Sequence, residues 1–84
     1  MARHEKTLDR ILRGGSDASI AFEDLRGLLL HVGFAERIRG SHHIFFLAGV
    51  EELINLQRAG HEAKPYRVRQ VRAVISRHGL GGRD

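Results

Sequence analysis

The chain has 84 residues, no cysteine and a formal net charge of +4, from 14 lysines and arginines against 10 aspartates and glutamates. This length limits it to one small domain, and the lack of cysteine excludes disulfides and thiolate metal sites. No segment reads as a membrane span, and the N-terminal residues lack the apolar core of a signal peptide, so we expect a cytoplasmic protein that binds no membrane.

The positive charge is concentrated near the C-terminus. From Lys64 onward the chain has five arginines and one lysine, and its one acid there is Asp84. A small basic domain favours a polyanionic partner, either a nucleic acid or an acidic protein. A solvated helix face with a basic bias explains the same charges, so the charge by itself leaves these alternatives open.

Residues 1–19 are predicted to form a short N-terminal helix followed by a loop. Leu8, Ile11 and Leu12 recur at helical spacing, and a Gly-Gly-Ser-Asp run then ends the pattern. Two arrangements stay open for this segment, packing on the domain or loose attachment. We assign His4 to a mobile part of it.

A second helix is predicted from an apolar stripe that begins at Phe22 and ends at Val32. Gly33 suits the left-handed position just after a helix, and Phe34 suits the apolar residue that folds back after it. These two residues therefore mark the end of the helix.

Three short strands follow, over residues 34–39, 42–47 and 52–57, joined by turns at 40–41 and 48–51. The short connections predict an antiparallel meander.

Alternation along the second strand places His42 and His43 on opposite faces of the sheet. Only one of the two histidines then lies on the open face. If Ile54 and Leu56 mark the core side of the third strand, cross-strand pairing decides which one. The sequence alone does not fix that register.

The C-terminal part is predicted as a polar loop over residues 58–64, then a helix that starts at Pro65 and a disordered tail over 81–84. The buried stripe of this helix consists of Val68, Val71, Val74 and Ile75. The sequence thus predicts an α+β domain over residues 20–80, with α-β-β-β-α order and helices covering one face of a three-stranded sheet. The same order occurs in double-stranded-RNA-binding domains.

The segment from Arg39 to Phe46 reads as a loop that opens into a strand carrying two adjacent imidazoles. Gly40 can adopt backbone angles that other residues avoid, and imidazole moves protons near neutral pH. With arginines nearby, this pattern suggests phosphodiester chemistry. Two solvated polar residues at a strand rim are the plainer alternative.

The sequence also resembles a known family, the HicA-type toxins, which are small ribonucleases of bacterial HicA–HicB toxin–antitoxin modules. The similarity covers roughly residues 22–80 in collinear order. It is carried by Gly33-Phe34, Arg37, Gly40-Ser41-His42-His43-Ile44-Phe45, Ile54-Asn55-Leu56-Gln57 and Lys64-Pro65-Tyr66-Arg67-Val68-Arg69-Gln70-Val71-Arg72.

The resemblance implies a double-stranded-RNA-binding-like fold, cleavage of mRNA, and inhibition by a HicB-type antitoxin. It also implies an essential histidine just after the Gly-Ser pair, for which His42 is the first candidate and His43 the second. The chain departs from the family in its N-terminal extension of roughly twenty residues and in Arg67, where a glutamine is expected.

Such a histidine would act as a general base that helps the ribose 2′-OH attack the adjacent phosphate, or as a general acid that protonates the leaving 5′-oxygen. Arg37, Arg39 and the amides near Ser41 are candidates for stabilising the charge that develops on phosphorus. No Asp/Glu/His cluster at ligand spacing accompanies the histidines, so we expect no metal and no other cofactor. DNA, which has no 2′-OH, is not an expected substrate or partner.

Further RNA contacts are predicted along the last helix. Lys64, Arg69 and Arg72 would hold backbone phosphates, and Tyr66 would stack on a base or simply pack on the sheet. Three alternatives stay open for the whole protein: an RNA-binding module without catalysis, a decayed toxin that keeps only partner binding, and an interaction domain for an acidic protein.

Overall fold

The computed structural model describes residues 3–80; the predicted tail at 81–84 lies outside this range. Three helices and a three-stranded antiparallel sheet confirm the predicted α+β class. The helices are α1 (Arg3–Arg13), α2 (Phe22–Val32) and α3 (Pro65–His78), and a short 3-10 turn covers Asp17–Ser19. The strands are β1 (Ala35–Arg39), β2 (His42–Leu47), β3 (Val50–Leu56), β4 (Arg58–Ala59) and β5 (Glu62–Ala63). None of the helices within residues 3–80 is long and apolar enough to cross a bilayer.

The main sheet has the order β1-β2-β3, with β2 in the centre. Phe45 stands opposite Glu36 on one side and Ile54 on the other. The register shifts between Phe45 and Leu47, and Leu47 then pairs with Val50. With this last pair, β3 begins at Val50, two residues earlier than the sequence pattern predicts.

One face of the sheet is covered by α2 and α3, and the other is open. Phe45, Ile54 and Leu56 are fully buried in one cluster with the apolar stripes of the two helices. Phe46 and Leu53, one position away in each strand, are among the exposed large apolar residues. The alternation of β2 and β3 therefore divides the sheet into a core side and an open side.

Helix α2 ends as predicted. Gly33 has a φ of 122°, and its N–H donates to the carbonyls of Leu29 and Leu30. The N–H of Phe34 donates to the same Leu29 carbonyl at 3.0 Å, and the Phe34 side chain is buried. This cap turns the chain directly into β1.

Helix α1 packs on α2 and α3 as part of the same core. Ile11 is fully buried, and its carbonyl accepts a hydrogen bond of 2.9 Å from Arg72 Nε. The His4 ring stacks on His31 with centroids 4.5 Å apart, and it lies over Gly27, where a Cβ would come within 3.2 Å of His4 Cε1. The assignment of His4 to a mobile segment is wrong, because this glycine lets α1 approach α2 closely.

The predicted polar loop at 58–64 is in fact a small hairpin formed by β4 and β5. The Phe22 N–H donates a hydrogen bond of 2.9 Å to the His61 carbonyl in the turn of the hairpin. The Ala63 N–H donates one of 2.9 Å to the Ile20 carbonyl. Ala63 is fully buried. The hairpin therefore attaches the start of α2 to the segment that leads into α3.

We predict that Ile11→Ala lowers the free energy of unfolding by about 2–5 kcal/mol, because it leaves a cavity in the shared core. Leu12→Ala is the matched control, since the adjacent Leu12 is 46% exposed and its truncation should cost less than about 1 kcal/mol. Urea unfolding of both variants measures the difference. Equal losses would show that α1 is not docked on the core.

Candidate active site and nucleic-acid interface

The register of the sheet separates the two histidines. His43 stands opposite Leu56, which is fully buried, so its side chain lies on the core side. His42, one residue earlier, projects to the open side. The first candidate from the sequence is thus the histidine that faces away from the helices.

On the open side, His42 contacts the side chain of Asn55. Its Nδ1–H donates to Asn55 Oδ1 at 3.2 Å, and both residues are half-buried. With the proton held on Nδ1, a neutral imidazole keeps its lone pair on Nε2. Asn55 thereby orients the ring and leaves the second nitrogen available for proton transfer.

The open side carries positive charge next to His42. Arg39 stands directly opposite His42 in the sheet, and Arg37 opposite Ile44; both arginines are exposed. Among the β1–β3 positions that alternate onto this face, Glu51 is the one acid, and it lies at the far end from Arg39. This distribution favours an anionic ligand near the imidazole.

The turn before β2 brings backbone close to the same end of the sheet. Gly40 has a φ of 60°, and Ser41 next to it is exposed.

The start of α3 lies near the same end of the sheet. The Lys64 N–H donates to the Gln57 carbonyl at 3.3 Å, and Gln57 stands opposite His42 if the register of β2 and β3 is continued by one residue. The start of α3 is therefore adjacent to the His42 end.

The aromatic side chain at the start of α3 is partly covered. Tyr66 is 47% exposed, and the Arg67 guanidinium lies 4.6 Å from the centre of its ring. Such a distance is typical of a cation–π contact. Arg67 thus occupies one face of the ring that was predicted to stack on a base.

Two predicted phosphate contacts lie away from this end. Arg69 is exposed on α3, which packs on the covered side of the sheet. Arg72 forms an ion pair with Asp17 and donates to the Ile11 carbonyl. Its guanidinium joins α3 to α1, so the structure gives it a role in packing that the charge pattern did not reveal.

His43 belongs to a chain of polar contacts on the core side. Its Nδ1–H donates to Glu36 Oε2 at 2.7 Å, and Arg26 donates two hydrogen bonds of 2.8 Å to the Glu36 carboxylate. The Phe22 ring meets the imidazole edge-on at 4.9 Å. The His43 side chain is 18% exposed, so it is held by packing and by a carboxylate together.

The hydrogen bonds from the Arg26 guanidinium, and to a smaller extent the one from His43, hold the pKa of the Glu36 carboxyl below its ordinary value. Burial of the carboxyl acts in the opposite direction. Arg26 and Glu36 were not among the residues that the sequence patterns predicted for the site. Glu36 does alternate onto the same face as His43, but contact with Arg26 requires the packing of α2 on β1, which no local pattern predicts.

The two histidines have different chemical possibilities. His42 can exchange a proton with a ligand on the open, basic face. His43 has the carboxylate partner that often orients a reactive imidazole, yet it lies between β2 and α2. Because adjacent side chains of a strand project to opposite faces, a single phosphate on the open face contacts only His42.

Within residues 3–80 there is no group of three or more His, Cys, Asp or Glu side chains placed to hold a metal ion. Compared with models of protein families, with curated proteins and with solved structures, the chain matches none.

We predict that Glu36→Gln costs about 1–3 kcal/mol of unfolding free energy at neutral pH, because it removes the charge from a hydrogen-bonded pair. The folded pKa of Glu36 is lower than its ordinary value of 4.5. The ionised carboxylate therefore adds its full contribution to the free energy of unfolding at pH values above the ordinary pKa. That contribution is lost as the pH falls through the lower pKa of the folded state.

Urea unfolding at a series of pH values measures this. The gap between wild type and Glu36→Gln should narrow as the pH is lowered from about 5 to about 2. Glu51→Gln is the control, since Glu51 is exposed on β3, and it should have little effect at any pH. A Glu36→Gln gap that does not change with pH would contradict the assignment.

Proposed function

We propose that the protein is a cytoplasmic ribonuclease toxin of the HicA type that cleaves mRNA and is neutralised by a HicB-type antitoxin. The observation that carries this proposal is the position of His42, oriented by Asn55 on an open sheet face beside Arg37 and Arg39. A proton-transfer group among fixed cations is what RNA cleavage through the ribose 2′-OH requires.

In this reaction His42 Nε2 takes the proton of the 2′-OH while the 2′-oxygen attacks the adjacent phosphorus. The bond between phosphorus and the 5′-oxygen breaks, and that oxygen takes up a proton from the imidazolium or from water. The products are a 2′,3′-cyclic phosphate and a 5′-hydroxyl. In this proposal the imidazole transfers the proton and the arginines supply the positive charge, so the step is written without a metal or a cofactor.

The surrounding residues have distinct parts in this proposal. Arg39 and Arg37 counter the charge that develops on the phosphate oxygens, together with the exposed turn at Ser41. Lys64, at the adjacent start of α3, holds a neighbouring phosphate. Asn55 is a positioning residue, because it acts through the His42 ring.

His43 is the second candidate for the catalytic histidine, and Glu36 is the observation in its favour, since a carboxylate on Nδ1 orients an imidazole and stabilises its charged form. In this alternative the RNA would approach the rim between β2 and α2. The open-face assignment is preferred because the exposed arginines of β1 lie on the side of His42.

An RNA-binding module without catalysis would use the same open face, and its arginines would hold RNA without a reactive imidazole.

The antitoxin, in turn, would mask this face. Phe46 and Leu53 expose apolar surface there, next to Arg37 and Arg39, so a partner with both apolar and acidic side chains would be complementary to it.

We predict that His42→Ala lowers the rate of RNA cleavage by about 100- to 10,000-fold, as expected for loss of a general acid–base group. His61→Ala is the control, because His61 is exposed in the hairpin turn and should have no effect. The substrates are a single-stranded RNA and the DNA of the same sequence, with and without EDTA, and DNA should remain intact.

Two results would contradict the proposal. Cleavage that persists in His42→Ala and disappears in a folded His43→Ala would assign the reaction to His43 and Glu36 on the core side. RNA binding without cleavage by the wild-type protein, and without growth arrest or mRNA loss when it is expressed in bacteria, would indicate a binding module or a decayed toxin.

A further inference from the structure

We propose that Phe46 is a base-stacking residue that makes the open face selective for unpaired RNA. This inference rests on the proposed function, and it adds the residue that recognises the nucleotide beyond the cleaved phosphate. The position was not among the residues that sequence patterns marked for RNA contact.

The exposure of Phe46 is the first observation. The side chain is 38% exposed near the end of the central strand, although its neighbour Phe45 is fully buried in the core. It projects to the same face as His42 and Ile44. Together with Leu53, which is exposed on the same face, the ring contributes to an apolar patch beside basic side chains, and such patches mark binding surfaces.

The second observation is the arginine beside the ring. The Arg37 guanidinium lies over Phe46, 5.8 Å from the centre of the ring, which is close to the outer limit of a cation–π contact. A base can replace this loose contact on the ring, which leaves Arg37 free to contact the cleaved phosphate, as in the proposed reaction. Aromatic rings and arginines are the groups on which proteins stack unpaired bases.

The charges of the face favour a nucleic acid as its occupant. Arg37 and Arg39 lie on one edge strand, and Glu51, the one acid among the strand positions of this face, lies at the Phe46 end of the sheet. In a duplex each base already stacks on its neighbours, so only an unpaired base can offer its flat surface to Phe46. We therefore infer single-stranded RNA as the ligand of this surface.

The strand also sets the distance between stacking and chemistry. Phe46 follows His42 by four residues along β2, a separation of about 13 Å at the usual rise of a strand. Because both side chains stand on the same rigid strand, a base held on Phe46 fixes which phosphodiester bond reaches the imidazole. Phe46 is thus a specificity-determining residue, and His42 remains the catalytic one.

The test uses an RNA oligonucleotide with 2′-O-methyl riboses, which the proposed reaction cannot cleave, with 2-aminopurine placed at successive positions. Stacking on an aromatic ring quenches this fluorescent base. We expect one position to be quenched on binding to the wild-type protein. Phe46→Ala should abolish that quenching and weaken binding about 5- to 100-fold, and Phe46→Trp should restore both.

Leu53→Ala is the matched control, since Leu53 is the other strongly exposed apolar residue of the face, at 58% exposure. It should leave the quenching in place. If Phe46→Ala and Leu53→Ala weakened RNA binding equally, and Phe46→Trp did not restore it, the inference about Phe46 would be overturned. The proposed catalytic role of His42 would not be affected by that result. No binding of single-stranded RNA by the wild-type protein, or tighter binding of a duplex, would also overturn it.

Discussion

The pairing of β2 with β3 is the constraint that organises this molecule. His43 stands opposite Leu56 and Phe45 opposite Ile54, and burial of the three apolar residues against α2 and α3 fixes which side of β2 faces the core. A slip of one residue would turn Phe45 and His43 to the open face and bring Phe46 and His42 to the core side, so that His43 would lose its contact with Glu36. The packing of Phe45 beside Ile54 and Leu56, together with the contact of His43 with Glu36, therefore sets the side on which each imidazole lies.

The core-side imidazole would be costly to bury without partners. Its hydrogen bond to Glu36, and the two bonds from Arg26 to the same carboxylate, satisfy the polar groups and connect α2 to β1 and β2. On the open side, His42 has only the amide of Asn55 as a side-chain hydrogen-bond partner among the described residues. One histidine is thus held by charge and packing, and the other is oriented while its second nitrogen can meet a ligand.

Much of the fold could be predicted from local patterns, because apolar periodicity and the stop signal at Gly33 act over a few residues. Features that need distant segments to meet could not. The hairpin at 58–63 is held by backbone hydrogen bonds to residues 20 and 22, and Arg72 pairs with Asp17 in the turn between α1 and α2. For the site, alternation predicted that the two histidines face opposite ways, but choosing His42 for the open side required the register of β2 and β3.

The most direct test of this account is an NMR experiment that follows both imidazoles, assigned with His42→Ala and His43→Ala, while 2′-O-methyl single-stranded RNA is added. The account predicts that the ring resonances of His42 shift with RNA concentration, while those of His43 stay in place and keep the signature of an Nδ1–H bonded to a carboxylate. Shifts of the His43 ring with an unchanged His42 would contradict the assignment of the open face as the RNA site.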